Sequence, residues 1–156
     1  MKKEAVLILH NIRSVHNVGS IFRTADAAGV SKIYLTGYTP TPLDRFGRKR
    51  KDITKTALGA EDSVPWEAIK NPQALMKRLR VEGFSIVAVE QSPDAIDYKK
   101  LKPIFPAAFL FGNEVRGLSS ALLRKCDTVA EVPMRGRKES LNVSVAAGVI
   151  LFQLLR

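Results

Sequence analysis

The residues best suited to chemistry gather where polar, glycine-containing turns meet apolar runs. Ser140, Asn142 and Ser144 stand at the start of a long apolar segment, Leu141 to Leu155, behind the basic turn Arg135-Gly136-Arg137-Lys138. Ser140 holds the position expected of a helix N-cap. Backbone N–H groups at such a helix start receive anions and polar ligand groups. Two further turns follow apolar runs: Glu90-Gln91-Ser92, and Gly112 to Gly117 with Asn113 and Glu114 inside it. Glycines there allow a close approach of backbone to ligand. Main-chain groups can then read an adenine or a ribose with few charged side chains.

Several other chemistries lack their residues. No GxGxxG follows the first apolar run and no GxxxxGK[ST] occurs, so the usual dinucleotide fingerprint and the phosphate-binding P-loop are missing. There is no GxSxG elbow. Carboxylates are sparse, which weakens glycosidase and two-metal readings. The two histidines, His10 and His16, have no carboxylate or thiol beside them, and Cys126 is the only cysteine, so neither a metal centre nor an intrachain disulfide is expected.

Charge points to the partner. With 25 Lys and Arg against 15 Asp and Glu, the 156 residues carry a formal net charge of +10. Such a field favours polyanions. The excess is concentrated in the stretch RFGRKRKDITK, which holds Arg45, Arg48, Lys49, Arg50, Lys51 and Lys55 around Phe46. Cations interleaved with an aromatic suit contact with a nucleic-acid backbone. Arg13, in the polar turn Asn11 to His16, adds a further cation.

The elements that must position these groups follow from periodicity. Ala5–Leu9, Lys32–Thr36, Phe84–Val89, Ala107–Phe111 and Thr128–Val132 read as strands, mostly continuous apolar runs. Between them lie helices at about 17–28, closed by Gly29, at 72–82 behind Asn71-Pro72, and at 120–125 behind Ser119. The basic stretch falls in a long loop from Gly37 to Lys51, and Trp66 reads as a packing residue. Buried strands alternating with helices give an α/β fold, a mostly parallel sheet with helices on both faces. Ligands in such folds bind beyond the carboxyl ends of strands, where the three turns lie. The terminal helix is apolar on nearly every face, so it needs partners all round, within the domain or from a second subunit. No apolar run approaches the roughly 20 residues of a membrane span. The first ten residues lack a signal-peptide cleavage pattern, so a cytoplasmic protein is expected.

Three segments together carry a family resemblance: NVGSIFRTA (residues 17–25), FGNEVRGLS (111–119) and VPMRGRKESLNVS (132–144). In order and spacing they resemble the motifs of the SpoU (TrmH) family of S-adenosylmethionine-dependent RNA ribose 2′-O-methyltransferases, within the SPOUT superfamily. The resemblance implies a C-terminal trefoil knot, a homodimer formed through the C-terminal helix, and a cofactor held among the knotted loops. It places Val89, Gly112, Glu114, Val132, Met134, Ser140, Leu141 and Asn142 against S-adenosylmethionine. It assigns catalysis to Arg23, with Asn17, Glu114, Ser140 and Asn142 around it.

A guanidinium is a poor base. Arg23 is therefore expected to orient and activate the ribose 2′-hydroxyl, with a substrate phosphate or Ser140 taking part in proton transfer. Asn17 is expected to position Arg23 or the RNA, and Glu114 to organise the motif loops. Residues 1–156 read as one methyltransferase domain without the N- or C-terminal RNA-binding extensions of many relatives. Capture of tRNA or rRNA then falls to the core, the basic stretch and a second subunit. Two other readings share these residues: a non-catalytic RNA-binding protein of the same fold, and a SPOUT enzyme that methylates a base.

Overall fold

The computed structural model describes residues 3–156. Seven strands form one parallel sheet: β1 (Ala5–His10), β2 (Lys32–Thr36), β3 (Trp66–Ile69), β4 (Ser85–Val89), β5 (Ile96–Asp97), β6 (Ala107–Phe111) and β7 (Thr128–Glu131). Their spatial order is β3-β2-β1-β6-β4-β7-β5. Six helices alternate with them: α1 (Val15–Ala28), α2 (Lys51–Ala57), α3 (Ala60–Ser63), α4 (Pro72–Val81), α5 (Ser120–Arg124) and α6 (Val143–Leu154).

The apolar strands are continuous because both faces are covered. Leu7 and Leu9 of β1 and Phe109 and Phe111 of β6 pack with α1, α2 and α6 residues such as Ile21, Phe22, Ile53 and Ile150. Their neighbours Val6, Ile8, Ala108 and Leu110 pack against Leu75, Met76 and Leu79 of α4 and Leu122 of α5. Alternate side chains of a strand point to opposite faces, so each strand feeds both layers. β1 and β6 lie side by side in the middle of the sheet, with Leu9 opposite Phe111. The turns after these two strands are thereby held close together.

Local chemistry sets the helix ends. Ser14 caps α1, accepting from the Asn17 N–H at 3.2 Å, and Gly29 ends it in the left-handed conformation. Asn71 caps α4 ahead of Pro72.

Two expectations, the terminal cap and the basic loop, need correction. The terminal helix starts at Val143 with Asn142, not Ser140, as its cap, because the Asn142 Oδ1 accepts the Ser144 N–H at 2.8 Å. Within this one copy Ala147, Ile150, Leu151 and Leu154 of that helix are buried, while Val145 is 51% and Phe152 54% exposed. The basic stretch is not wholly loop, since Lys51 and Lys55 lie on α2. Trp66 packs against the core as expected, as the first residue of strand β3. That short strand, like β5 and α3, lacks a run long enough to declare itself.

Gly19 is where α1 and α2 touch. A Cβ there would overlap the Thr56 hydroxyl and sit 2.6 Å from the Ile53 carbonyl oxygen, a backbone atom that cannot swing away. Gly19→Ala should therefore destabilise the fold by about 1–3 kcal/mol through overpacking. The denaturant midpoint should fall, and an unchanged midpoint would show that the two helices can part without cost.

Candidate functional site

The site is built from the turns that leave β1, β4, β6 and β7. After Phe111 the chain turns back through Gly112 to Gly117, with Asn113 and Gly117 bridged and the Gly117 N–H on the Asn113 carbonyl at 2.9 Å. Glycine is required at both ends. A Cβ on Gly112 would lie 2.7 Å from the Leu118 side chain, and Gly117 has φ +63° with its missing Cβ aimed at the Glu90 carboxylate.

Asn113 saturates every polar position of its side chain. Its Oδ1 accepts from the N–H groups of Val115 and Arg116 at 2.9 and 2.8 Å. Its Nδ2 donates to the Asn11 carbonyl at 2.9 Å and to the Tyr38 hydroxyl at 3.0 Å. One amide thus ties the turn after β6 to those after β1 and β2.

That turn delivers Glu114 to the start of α1. Its carboxylate accepts the N–H groups of Arg13 and Ser14, each at 2.9 Å, and the Asn17 Nδ2 at 3.0 Å. Backbone donors at a helix start have no partner within the helix, and the helix dipole favours an anion there. Partial burial opposes ionisation of Glu114, but these three hydrogen bonds together hold its pKa below the ordinary carboxylate value.

The acceptor-only carboxylate then orients the next two amides. Asn17 must turn its NH2 to Glu114, which leaves its Oδ1 to accept from the Asn142 Nδ2 at 3.1 Å. Asn142 in turn must present its Oδ1 to α6, where it accepts from the Ser144 backbone N–H and from its hydroxyl. A single directed chain, Glu114–Asn17–Asn142, joins all three motif segments.

Beside this chain lies a cleft enclosing about 720 Å³, part of it open to solvent. Val89, Phe111, Val132, Leu141, Val143 and Ala146 give it apolar walls, with Gly112, Met134 and Ser140 among the other lining residues. Three acidic residues, Glu90, Glu114 and Glu131, are among those lining it, and no Lys or Arg is. Glu90 holds the far side of the turn, accepting from the Leu118 N–H at 2.8 Å and the Gln91 N–H at 3.1 Å. Cys126 is a poor nucleophile, since burial pushes its thiol up to about 11.

The expected residues divide cleanly. Val89, Gly112, Glu114, Val132, Met134, Ser140 and Leu141 line the cleft, whereas Asn142, expected against the cofactor, and Asn17 are not lining residues but hydrogen-bond to each other. Arg23 is not among them. It is exposed farther along α1, in a shallow depression with Lys55, Thr56 and Leu58 of the α2 region and Phe152 of α6. Of the basic stretch, Arg48 pairs with Asp44 at 3.2 Å, Lys49 with Asp62 at 2.5 Å and Arg50 with Asp52 at 2.8 Å. Arg45, Lys51 and Lys55 have no ion pair among the described residues. Arg45 and Arg48 lie 4.8 and 5.0 Å from the centre of the exposed Phe46 ring. Arg13 lines a different depression, with Tyr38, Arg50 and Arg116.

Sequence reasoning gave no role to Asn113, Glu131, Tyr38 or Arg116. Glu90 stood out only as part of a turn. The position of Asn113 between Gly112 and Glu114, directly after a strand, was the one usable signal.

Comparison with known proteins bears on the family and the fold. The family model described as the SpoU rRNA Methylase family matches residues 4–152. A Staphylococcus saprophyticus protein assigned to the TrmH family of tRNA/rRNA methyltransferases is 32% identical over 155 residues, 99% of this chain and 59% of its own. An AdoMet-bound rRNA methyltransferase from Sinorhizobium meliloti superposes with a TM-score of 0.87 at 31% identity, covering 98% of this chain and 56% of the other. The TrmH/SpoU tRNA modifying enzyme of A. aeolicus gives 0.82 at 30% identity, covering 97% and 74%. The chain thus spans little more than half the length of the curated relative.

Glu114→Ala should cost about 1–3 kcal/mol at neutral pH, because three donors lose their acceptor. A carboxylate with a lowered folded pKa stabilises fully above its unfolded value and loses that effect as pH falls through the folded one. The gap between wild type and Glu114→Ala in urea unfolding should therefore shrink below about pH 4. A gap that stays constant down to strongly acid pH would show that the charge is not what holds α1.

Proposed function

The chain belongs to the SpoU methylase family, and from that membership we propose that it is an S-adenosylmethionine-dependent methyltransferase acting on a ribose 2′-hydroxyl of tRNA or rRNA. One observation carries the assignment beyond membership. In a chain of net charge +10, the cleft beside the three motifs has three acidic residues and no Lys or Arg among those lining it. A cleft of that kind accepts a cationic ligand and disfavours a polyanion. The methyl donor carries a sulfonium, an ammonium and a carboxylate beside its adenosine, and so a net positive charge. Apolar walls, the Gly112 turn and Ser140 suit its adenosine, and the excess of acidic over basic lining residues suits its net charge.

When bound, S-adenosylmethionine supplies an electrophilic methyl group for in-line attack by the ribose oxygen. The protein's own residues do the remaining work. Val89, Gly112, Val132, Met134, Ser140, Leu141 and Asn142 hold the donor. Glu114 and Asn17 fix the cleft wall against α1, and Asn142 fixes α6. Arg23 orients the 2′-hydroxyl and stabilises negative charge developing on its oxygen. Ser140 or a substrate phosphate takes part in removing the proton.

Within one copy Arg23 faces away from the cleft, so the proposal includes a homodimer built on α6. Exposed Phe152 and Leu58, at 54% and 64%, surround Arg23 and offer apolar surface to a second copy. That copy would bring a cleft within reach of the guanidinium. The trefoil-knot threading of the C-terminal segment, the one-domain reading of residues 1–156 and a cytoplasmic location form part of the same proposal. No helix among the described residues is long and apolar enough to cross a membrane.

Arg23→Ala should abolish methyl transfer to RNA, on the order of a hundredfold or more, while leaving the heat of S-adenosylmethionine binding in calorimetry nearly unchanged. Mass spectrometry of digested, treated RNA should show 2′-O-methylnucleosides. Base-methylated products would move the assignment to base chemistry. Donor binding without any methylated product would leave a non-catalytic RNA-binding protein.

A further inference from the structure

A second concavity shares a wall with the cleft. Asn113 and Val115 line both, and beyond them lie Arg13, Tyr38, Pro40, Arg50 and Arg116. Its chemistry is the opposite of the cleft's: three guanidinium groups and no carboxylate among its lining residues. Arg50 is partly neutralised by Asp52, but Arg13 and Arg116 have no ion pair among the described residues. Tyr38 is 57% exposed, yet it is not loose. Its backbone N–H donates to the Asn11 Oδ1 at 3.1 Å, and its hydroxyl accepts from the Asn113 Nδ2 at 3.0 Å. The ring is pinned at both ends while more than half its surface faces solvent. Val115, on the ridge between the two concavities, is 89% exposed.

We propose that this depression receives the nucleotide adjacent to the methylated one in a single-stranded RNA, its base stacked on Tyr38 and its phosphate held by Arg13 and Arg116. The inference rests on the proposed function and deepens it, by assigning the substrate strand a path over the Val115 ridge. A rigidly held, exposed aromatic beside unpaired guanidiniums is the composition of a single-strand platform. A duplex would keep its bases stacked on each other and could not use the ring. The change from acidic cleft to basic depression across one ridge also gives direction. The ribose enters the cleft while its flanking phosphates remain outside. Asn113 couples the two, since the same amide that braces the Tyr38 hydroxyl builds the turn that delivers Glu114.

The test is fluorescence anisotropy with a labelled oligouridylate of about 12 nucleotides, compared with a duplex RNA of the same length. Wild type should prefer the single strand. Tyr38→Ala should weaken single-strand binding roughly tenfold, the loss expected for one stacked base. Tyr38→Phe should retain affinity to within about twofold, because the face and not the hydroxyl carries the stacking. Arg116→Ala should lower the slope of log affinity against log salt by about 0.7, the value of one single-strand phosphate. Retained S-adenosylmethionine binding in calorimetry serves as the folding control. If Tyr38→Ala and Arg116→Ala both bind like wild type, or if duplex RNA is preferred, the inference fails. Continued ribose methylation by wild type would then leave the proposed function standing. Failure of wild type to bind or methylate any RNA would overturn both.

Discussion

The geometry of the site depends on one carboxylate meeting the open end of one helix. Glu114 accepts two backbone N–H groups and one side-chain amide at the start of α1. None of these donors has a partner within the helix, and an anion at that end is favoured by the helix dipole. Because a carboxylate only accepts, it dictates the orientation of Asn17, and Asn17 dictates that of Asn142. Segments about a hundred residues apart in sequence are locked into register by a sequence of donor–acceptor choices with a single consistent solution. An aspartate in place of Glu114 would be a methylene too short, and a glutamine would set an NH2 against donors.

The sheet makes this contact possible. β1 and β6 pair in parallel at its centre, so the turn before α1 and the turn containing Glu114 emerge side by side. Parallel pairing puts both turns at carboxyl ends, the usual place for ligands in open α/β sheets. The cleft then inherits its polarity from whatever those turns carry. Here Glu90, Glu114 and Glu131, at the ends of β4, β6 and β7, supply its acids, while Arg13 follows β1, Arg50 precedes α2 and Arg116 lies just beyond Glu114. Acidic and basic linings sit within a residue or two of each other, and Asn113 and Val115 belong to both.

The sequence disclosed the parts whose physics is local. Five strands were legible because a strand covered on both faces is an unbroken apolar run, and α1, α4 and α5 because capping residues mark their ends. β3 and β5 were not, since four-residue and two-residue strands at the sheet's edges need no such run. Ser140 was read as the cap of α6 because it is the first hydroxyl before the apolar run. The true cap is Asn142, whose orientation is set by Asn17 from the other end of the chain. The cleft-lining residues came from the family resemblance, and the cleft's lack of lysine and arginine was invisible in a composition of net positive charge. No periodicity signals a charge pattern assembled from three separated turns.

The placement of Arg23 follows from helix geometry. Asn17 and Arg23 are six residues apart on α1, about 9 Å along the axis and well round its circumference. If Asn17 faces Glu114 and Asn142, Arg23 must face elsewhere, and it does, toward α2 and Phe152. Under the proposed function, a guanidinium acting at the cleft would therefore come from a second copy, and the exposed apolar residues around Arg23 would face that copy. Each copy would offer a finished cofactor cleft and an arginine for the other, so that dissociation alone would separate methyl donor from activating group without unfolding either.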